Sequence, residues 1–342
     1  MSGLIEVTDG GIGNSIQDTG RLGFRHMGIT VSGGLDTYLA RCANALVGNS
    51  PDCACIEIRA AGPKLLIKQG RVRLALAGDI SAVLNGSDGT TVPMPAWKSI
   101  TLDPQDELEI GFLSGGTAYL AVSGGVDSPV QLGSRSTYQR AMIGGIDGGP
   151  IVAGNLLPCS ATTARELCNY VAEPWSYADD PVRVMLGPQE GHFEKESVAQ
   201  FLGSDFQVTT QIDRMGVRLE GTPLKHVSPA AADIVSDGVT PGTLQVPGNG
   251  HPIILLADCQ TVGGYPKIAT VITADVPRLG QLCPGQSIRF CAVSGVQAKQ
   301  ALLEREAQWA SWATCVTLDR LDVTAFYNDI TSTWISEDWE DR

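Results

Sequence analysis

A chain of 342 residues, 43% apolar and 18% charged, has an ordinary globular composition and room for two domains of about 100–200 residues each. Its 24 Lys and Arg against 37 Asp and Glu leave a net charge of −13. That balance argues against nucleic acid and anionic membranes as partners, because both need a basic face. Glycine (40) and proline (19) are abundant, which points to many tight turns between short strands. No run approaches the roughly 20 apolar residues of a membrane span, and the first residues lack the basic and apolar regions of a signal peptide. The nine cysteines are odd in number and scattered, so they read as reduced, mostly buried thiols and the expected location is cytoplasmic.

In chain order, residues 35–46 carry apolar side chains at helical spacing and end before Gly48. Residues 64–67 and 71–77 read as paired strands joined across Gln69-Gly70. Asn85-Gly86 and Asp88-Gly89 are strong hairpin signals. Strands are expected over 107–112, 118–123, 182–186, 206–211, 253–257 and 287–292, with a short helix over 197–202. The clearest helix spans 296–312, followed by an acidic tail expected to fray. Residues 172–181, polar and bearing Pro174 and Pro181, read as a linker dividing the chain almost in half. The halves echo each other. Arg21-Leu22-Gly23-Phe24-Arg25 parallels Arg214-Met215-Gly216-Val217-Arg218, and the stretch 102–110 parallels 282–290. The expectation is a mainly β chain with few helices and a cleft between two related halves.

Several familiar chemistries are missing. There is no P-loop and no G-x-S-x-G elbow, and His26, His192, His226 and His251 lie far apart without an HExxH. Cys53-Ala54-Cys55 has no second cysteine pair to complete a zinc site, so no metal is expected. The Met-Lys-Met of a biotin acceptor is also absent. The glycines of 10–13 and 144–149 fit turns better than a strand–helix phosphate loop.

Four segments are more polar than a structural loop requires. Gln17, Asp18 and Arg21, followed by Asp36, form either a ligand clamp or a buried Asp–Arg network stitching the N-terminal loop to the first helix. Ser134 and Arg135 sit among hydroxyls that suit an anion or a helix cap. Asp213-Arg214, with Arg218, ends a strand as a ligand contact or a local ion pair. Asp258, Gln260, Thr261, Tyr265 and Lys267 lie within ten residues around a Gly-Gly turn. Asp258 is a candidate base and Lys267 a candidate charge stabiliser there, with Gln260 and Thr261 as substrate contacts, unless the segment is a structural hairpin.

At these residues the chain resembles a known family. Gln17-Asp18-x-Gly20-Arg21-x-Gly23, Ser32-Gly33-Gly34-Leu35-Asp36, Leu132-Gly133-Ser134-Arg135-Ser136-Thr137, Asp213-Arg214-Met215-Gly216-x-Arg218 and Asp258-x-Gln260-Thr261-x-Gly263-Gly264-Tyr265-Pro266 occur together and in order. They are similar to the KipA family, also known as allophanate hydrolase subunit 2 or the C-type subunit of 5-oxoprolinase, from about residue 3 to 295. The resemblance implies two cyclophilin-like β-barrel domains, at 1–172 and 182–295, with a C-terminal helix and acidic tail at 296–342. It implies a KipI-like partner subunit, a possible LamB/YcsF-type protein, and ATP-dependent opening of 5-oxoproline to glutamate, with ATP shared with partner subunits. The same architecture forms the carboxyltransferase part of urea carboxylase. The runner-up is therefore carboxyl transfer from a biotin carried in trans, with Asp258 and Tyr265 serving. A third reading is a regulatory module that sequesters a KipI-like partner. Cys259 and Thr261-Val262 depart from the family pattern, which bears on substrate more than on fold.

Overall fold

The computed structural model describes residues 2–162 and 169–319. The expected tail beyond residue 319 lies outside them. The first half carries two antiparallel sheets. One has six strands in the order Leu156–Ser160, Ser2–Asp9, Lys64–Gln69, Glu107–Ile110, Ser81–Asn85 and Thr91–Pro95. The other has five, ordered Ser15–Gln17, Cys55–Ile58, Ala118–Val122, Val72–Ala77 and Ser99–Leu102. Alternating residues of both sheets, among them Ile5, Val7, Ile56, Ile58, Leu65, Ile67, Leu74 and Leu120, face one fully buried core. The Asn-Gly and Asp-Gly signals mark the turn between the strands Ser81–Asn85 and Thr91–Pro95.

Among the described residues the second half carries a two-stranded ribbon of Asp237–Gly238 with Val262–Gly263 and one eight-stranded sheet. The sheet runs Ser287–Ile288, Phe206–Ile212, Gly216–Glu220, Ile253–Leu255, Thr243–Gln245, Lys267–Val271, Val182–Leu186, Phe290–Ala292. Its two edge strands are separated in sequence by Arg289 alone, so the sheet curls back on itself almost to closure. Phe201, Phe206 and Phe290 cluster inside it with Leu244, Ile254 and Ile268. The chain is thus mainly β with few helices, as the turn-rich composition predicts.

Among the described residues three α-helices flank the sheets. Helix α1 (Thr37–Leu46) is capped by Asp36, whose carboxylate accepts from the N–H groups of Tyr38 and Leu39. Helix α2 (Lys195–Gly203) buries Phe201. Helix α3 (Gly295–Thr314) opens with a capping box of Ser294 and Gln297. Its far end packs on the first half, where Glu306 accepts from Arg41 and the Tyr38 hydroxyl and the Trp312 indole donates to the Glu173 carbonyl. Residues 172–181 lack regular structure yet are packed. Trp175 stacks on Tyr38, and the Tyr177 hydroxyl donates to Asp36 at 2.7 Å.

One sequence echo is a structural repeat. Gln105 and Gly285 both have positive φ, of 77° and 83°. Their amides donate to Ile67 and Val208, and the following residues bond back across the turn to Asp103 and Cys283. The corner Asp103-Pro104-Gln105-Asp106 is therefore rebuilt as Cys283-Pro284-Gly285-Gln286, the Pro-then-positive-φ pattern of a type II turn. The other echo does not carry over. Arg21 leads into a loop and a short 3-10 helix at Arg25–Met27, whereas Arg214 leads into the strand Gly216–Glu220.

Candidate functional site

The halves meet across a buried polar network centred on Arg214. Its guanidinium donates to Asp258 at 2.9 and 3.1 Å, to Glu57 at 2.5 Å and to the Gly33 carbonyl at 2.7 Å. Glu57, fully buried in the strand Cys55–Ile58, also accepts from the Tyr119 hydroxyl and the Leu35 amide. Burial opposes the charge on Arg214, and the two carboxylates more than reverse this, raising its pKa above the usual arginine value. Asp36 continues the chain of contacts. It accepts from Tyr177 and Gln281 besides the helix amides, and burial pushes its carboxyl up to about 6 against those hydrogen bonds.

The N-terminal motif residues form a second internal network. Asp18 accepts from the hydroxyls of Ser134 and Ser136 and from the amides of Gly20 and Arg135. Burial raises this carboxyl, but the four donors outweigh it and hold Asp18 below the ordinary carboxylate value. The Gln17 amide donates to Ser15 and the Thr137 carbonyl. Arg21 is fully buried and donates to the carbonyls of Gln131 and Ser136. Together these residues fasten the loop 130–149 to the first half. Arg135 pairs with Asp127 at 2.8 Å and lines a separate cavity of about 430 Å³ with Asp52 and Cys53.

The loop fastened in this way brings Arg140 to the second half. There it closes a cleft of about 490 Å³ lined by Arg218, Gln260, Tyr265, Asp213, Gln211 and Gln245, with Ile212, Met215, Ile253 and Leu255 as apolar wall. Arg140 and Arg218 are exposed and make no ion pair among the described residues. Asp213 is fixed by one oxygen, which accepts from the amides of Met215 and Gly216. Gln245 forms part of the floor, donating to the Tyr265 carbonyl and accepting from the Gln260 amide. Gly263 presses against it, and a Cβ there would lie 2.4 Å from the Gln245 amide nitrogen.

Arg218, Gln260 and Tyr265 thus come together as the sequence suggested. Asp258 and Lys267 stand elsewhere than a substrate-facing base and charge stabiliser would. Asp258 is held by Arg214, and the buried Lys267 ammonium is held by Asp237 and the Gly238 carbonyl. Thr261 contributes its carbonyl to the Val239 amide and is not part of the cleft lining. Gln17, Asp18, Arg21, Asp36, Ser134 and Arg214 are engaged within the protein, and Asp18 and Arg21 tie the N-terminal loop to residues 131–136, not to the first helix as the network alternative expected. Arg140 and Gln245 were missed. Asp213 stood in a quoted motif, but only folding shows that it lines the cleft. Nothing local marks Arg140, which is delivered by a loop anchored more than a hundred residues upstream.

A family model described as the carboxyltransferase domain, subdomain A and B, matches residues 27–292. The chain belongs to the carboxyltransferase family. The C-type subunit of the Escherichia coli 5-oxoprolinase is 35% identical over 312 residues, covering 89% of this chain and 96% of that protein. The urea amidolyase of Lachancea kluyveri is 32% identical, over 88% of this chain and 18% of its own length. The crystal structure of the Kluyveromyces lactis urea carboxylase superposes with a TM-score of 0.79 at 27% identity, over 90% of this chain and 29% of that one. The chain therefore spans nearly all of a 5-oxoprolinase subunit and under a third of the urea enzymes. These carboxyltransferase relatives are enzymes or enzyme subunits. Among the described residues no helix is long and apolar enough to cross a membrane, and no cluster has the ligands of a metal site.

Proposed function

We propose that this chain is a subunit of an ATP-dependent 5-oxoprolinase that supplies the cleft for 5-oxoproline and works with a KipI-like subunit and a LamB/YcsF-type protein. The observation that carries this reading is the pair of uncommitted guanidiniums, Arg140 and Arg218, from opposite halves on one cleft. A carboxylate is the natural bidentate partner of such groups. With the carboxylate held there, the Tyr265 hydroxyl donates to the lactam carbonyl, and the free oxygen of Asp213 takes the proton of the attacking water and returns it to the ring nitrogen as the lactam C–N bond breaks. Gln260 and Gln245 orient the lactam amide. Asp258 and Lys267 act at one remove, as positioning residues that hold Arg214 and Asp237.

The glycine-rich loop of this chain does not suit a triphosphate. A Cβ at Gly144, Gly145 or Gly148 would meet Ser136, Thr137 or Met142 within about 2.2 Å, so these glycines close packed turns and leave no cradle. ATP accordingly belongs with the partner subunits or at their junction with this chain. The match to the carboxyltransferase model favours a second reading, carboxyl transfer from biotin carried in trans. The apolar wall of Ile212, Met215, Ile253 and Leu255 beside two glutamine amides suits a ureido ring. The two readings separate in one assay. The complex reconstituted from this chain and its neighbouring subunits should release glutamate from 5-oxoproline only with ATP. A well-folded complex that is silent there and active with a carboxybiotin carrier and a urea-like acceptor would establish the second.

A further inference from the structure

The cleft continues past Arg218. The strands Phe206–Ile212 and Gly216–Glu220 pair Val208 with Leu219 and then Ile212 with Val217. Three residues, Thr209, Thr210 and Gln211, therefore lie opposite Arg218 alone. Such a bulge spreads its strands and re-aims side chains. Here it borders a second cavity of about 220 Å³, whose polar lining includes Thr209, Thr210, Arg218, Glu220, Asn249 and His251. Thr210, Gln211, Arg218 and Ile253 line both cavities. The register of Gly216–Glu220 against Ile253–Leu255, carried on by the bond from the Leu219 amide to the Pro252 carbonyl, sets His251 across from Glu220. The ring nitrogen Nδ1 of His251 is buried and has no hydrogen-bond partner among the described residues. A buried polar atom left so is costly, and a ligand oxygen accepting from it would remove the penalty.

We propose that this second compartment binds the phosphoryl group of the reactant that activates the substrate, resting on the reading that the adjoining cleft holds 5-oxoproline. The volume falls below the roughly 300–1,000 Å³ of sites for drug-sized ligands, so it suits a small headgroup. A guanidinium, two hydroxyls, two carboxamides and an imidazole can all supply donors, as a tetrahedral oxyanion requires, and Glu220 is the single acid among them. Arg218 then stands between a carboxylate on one side and a phosphoryl group on the other.

The test titrates inorganic phosphate, and separately 5-oxoproline, into the full chain while following the His251 ring resonances and measuring affinity. Phosphate should shift the ring saturably. His251→Gln and Thr209→Val should each weaken phosphate binding about tenfold, a loss of about 1.4 kcal/mol, while 5-oxoproline affinity stays within about twofold. Arg218→Ala should weaken both ligands. Absence of a saturable phosphate shift, or phosphate affinity unchanged in both His251→Gln and Thr209→Val, overturns the proposal. A chain that binds phosphate in this pattern yet takes no 5-oxoproline supports the compartment and removes the reading of the cleft, so the two failures are distinct.

Discussion

Arg214 commits its guanidinium to Asp258, Glu57 and the Gly33 carbonyl, while Arg218, four residues on, is exposed at the cleft. The same residue type therefore has different consequences when removed. Arg214→Ala leaves two buried carboxylates facing each other without a counter-charge and should cost about 3–5 kcal/mol in a denaturant titration. Arg218→Ala should stay within about 0.5 kcal/mol of the parent stability and lose at least about a hundredfold in turnover of the complex, since it removes a charge-assisted clamp on substrate. Near-parent activity in Arg218→Ala would take this residue out of the site. Asp36 makes the stability depend on pH. Its folded carboxyl is raised to about 6 from an ordinary 3.8, so the folded state takes the proton more readily than the unfolded one. The stability this provides is complete below about pH 4 and is lost as pH rises through about 6. Unfolding midpoints measured across that window should slope downward in the parent, and the slope should flatten in Asp36→Asn. An unchanged slope would show that another group carries it.

The repeated corner shows what an element requires of its residues. At the same positive-φ position the second half has Gly285 and the first has Gln105, for which a left-handed backbone costs about 1–2 kcal/mol. Gln105→Gly relieves that cost and adds back some unfolded-state entropy, so thermal unfolding should show a net gain of up to about 1 kcal/mol. A loss would mean that the Gln105 side chain contributes more than its backbone costs. Elements of this kind were legible in the sequence wherever the cause is local. Helical spacing gave α1 and α3, Asn85-Gly86 and Asp88-Gly89 gave a hairpin, and short runs between turn residues gave most strands. Arg21-Leu22-Gly23 misled because a short motif fixes no secondary structure. In the first half it serves a loop anchored by the buried Arg21, and in the second it begins a strand. The site was half legible. Arg218, Gln260 and Tyr265 lie in polar segments that stand out, whereas Arg140 reaches the cleft only through the contacts of Asp18, Ser134, Ser136 and Arg21. Asp258 and Lys267 look like site residues in sequence because their neighbours are, and burial with a counter-charge draws them inward.

At the scale of the molecule, the cleft depends on how the halves are joined. Leu35, from the first half, packs into the core of the second beside Leu279 and Leu282, and Gln281 reaches back to Asp36 and Thr117. Glu57 and Asp258, one from each half, share Arg214. These contacts couple the halves, so calorimetry should find one cooperative transition that separates into two in Glu57→Ala, where the shared charge loses one partner. Two transitions in the parent would mean that the seam contributes little. The role of the cleft itself is tested most directly by ATP-dependent glutamate release in the reconstituted complex, comparing the parent chain with Arg140→Ala and Arg218→Ala. We expect activity only with the full set of subunits and ATP, and its collapse in both variants while the complex and its stability persist. Full activity in both variants would contradict the claim that this cleft binds the substrate.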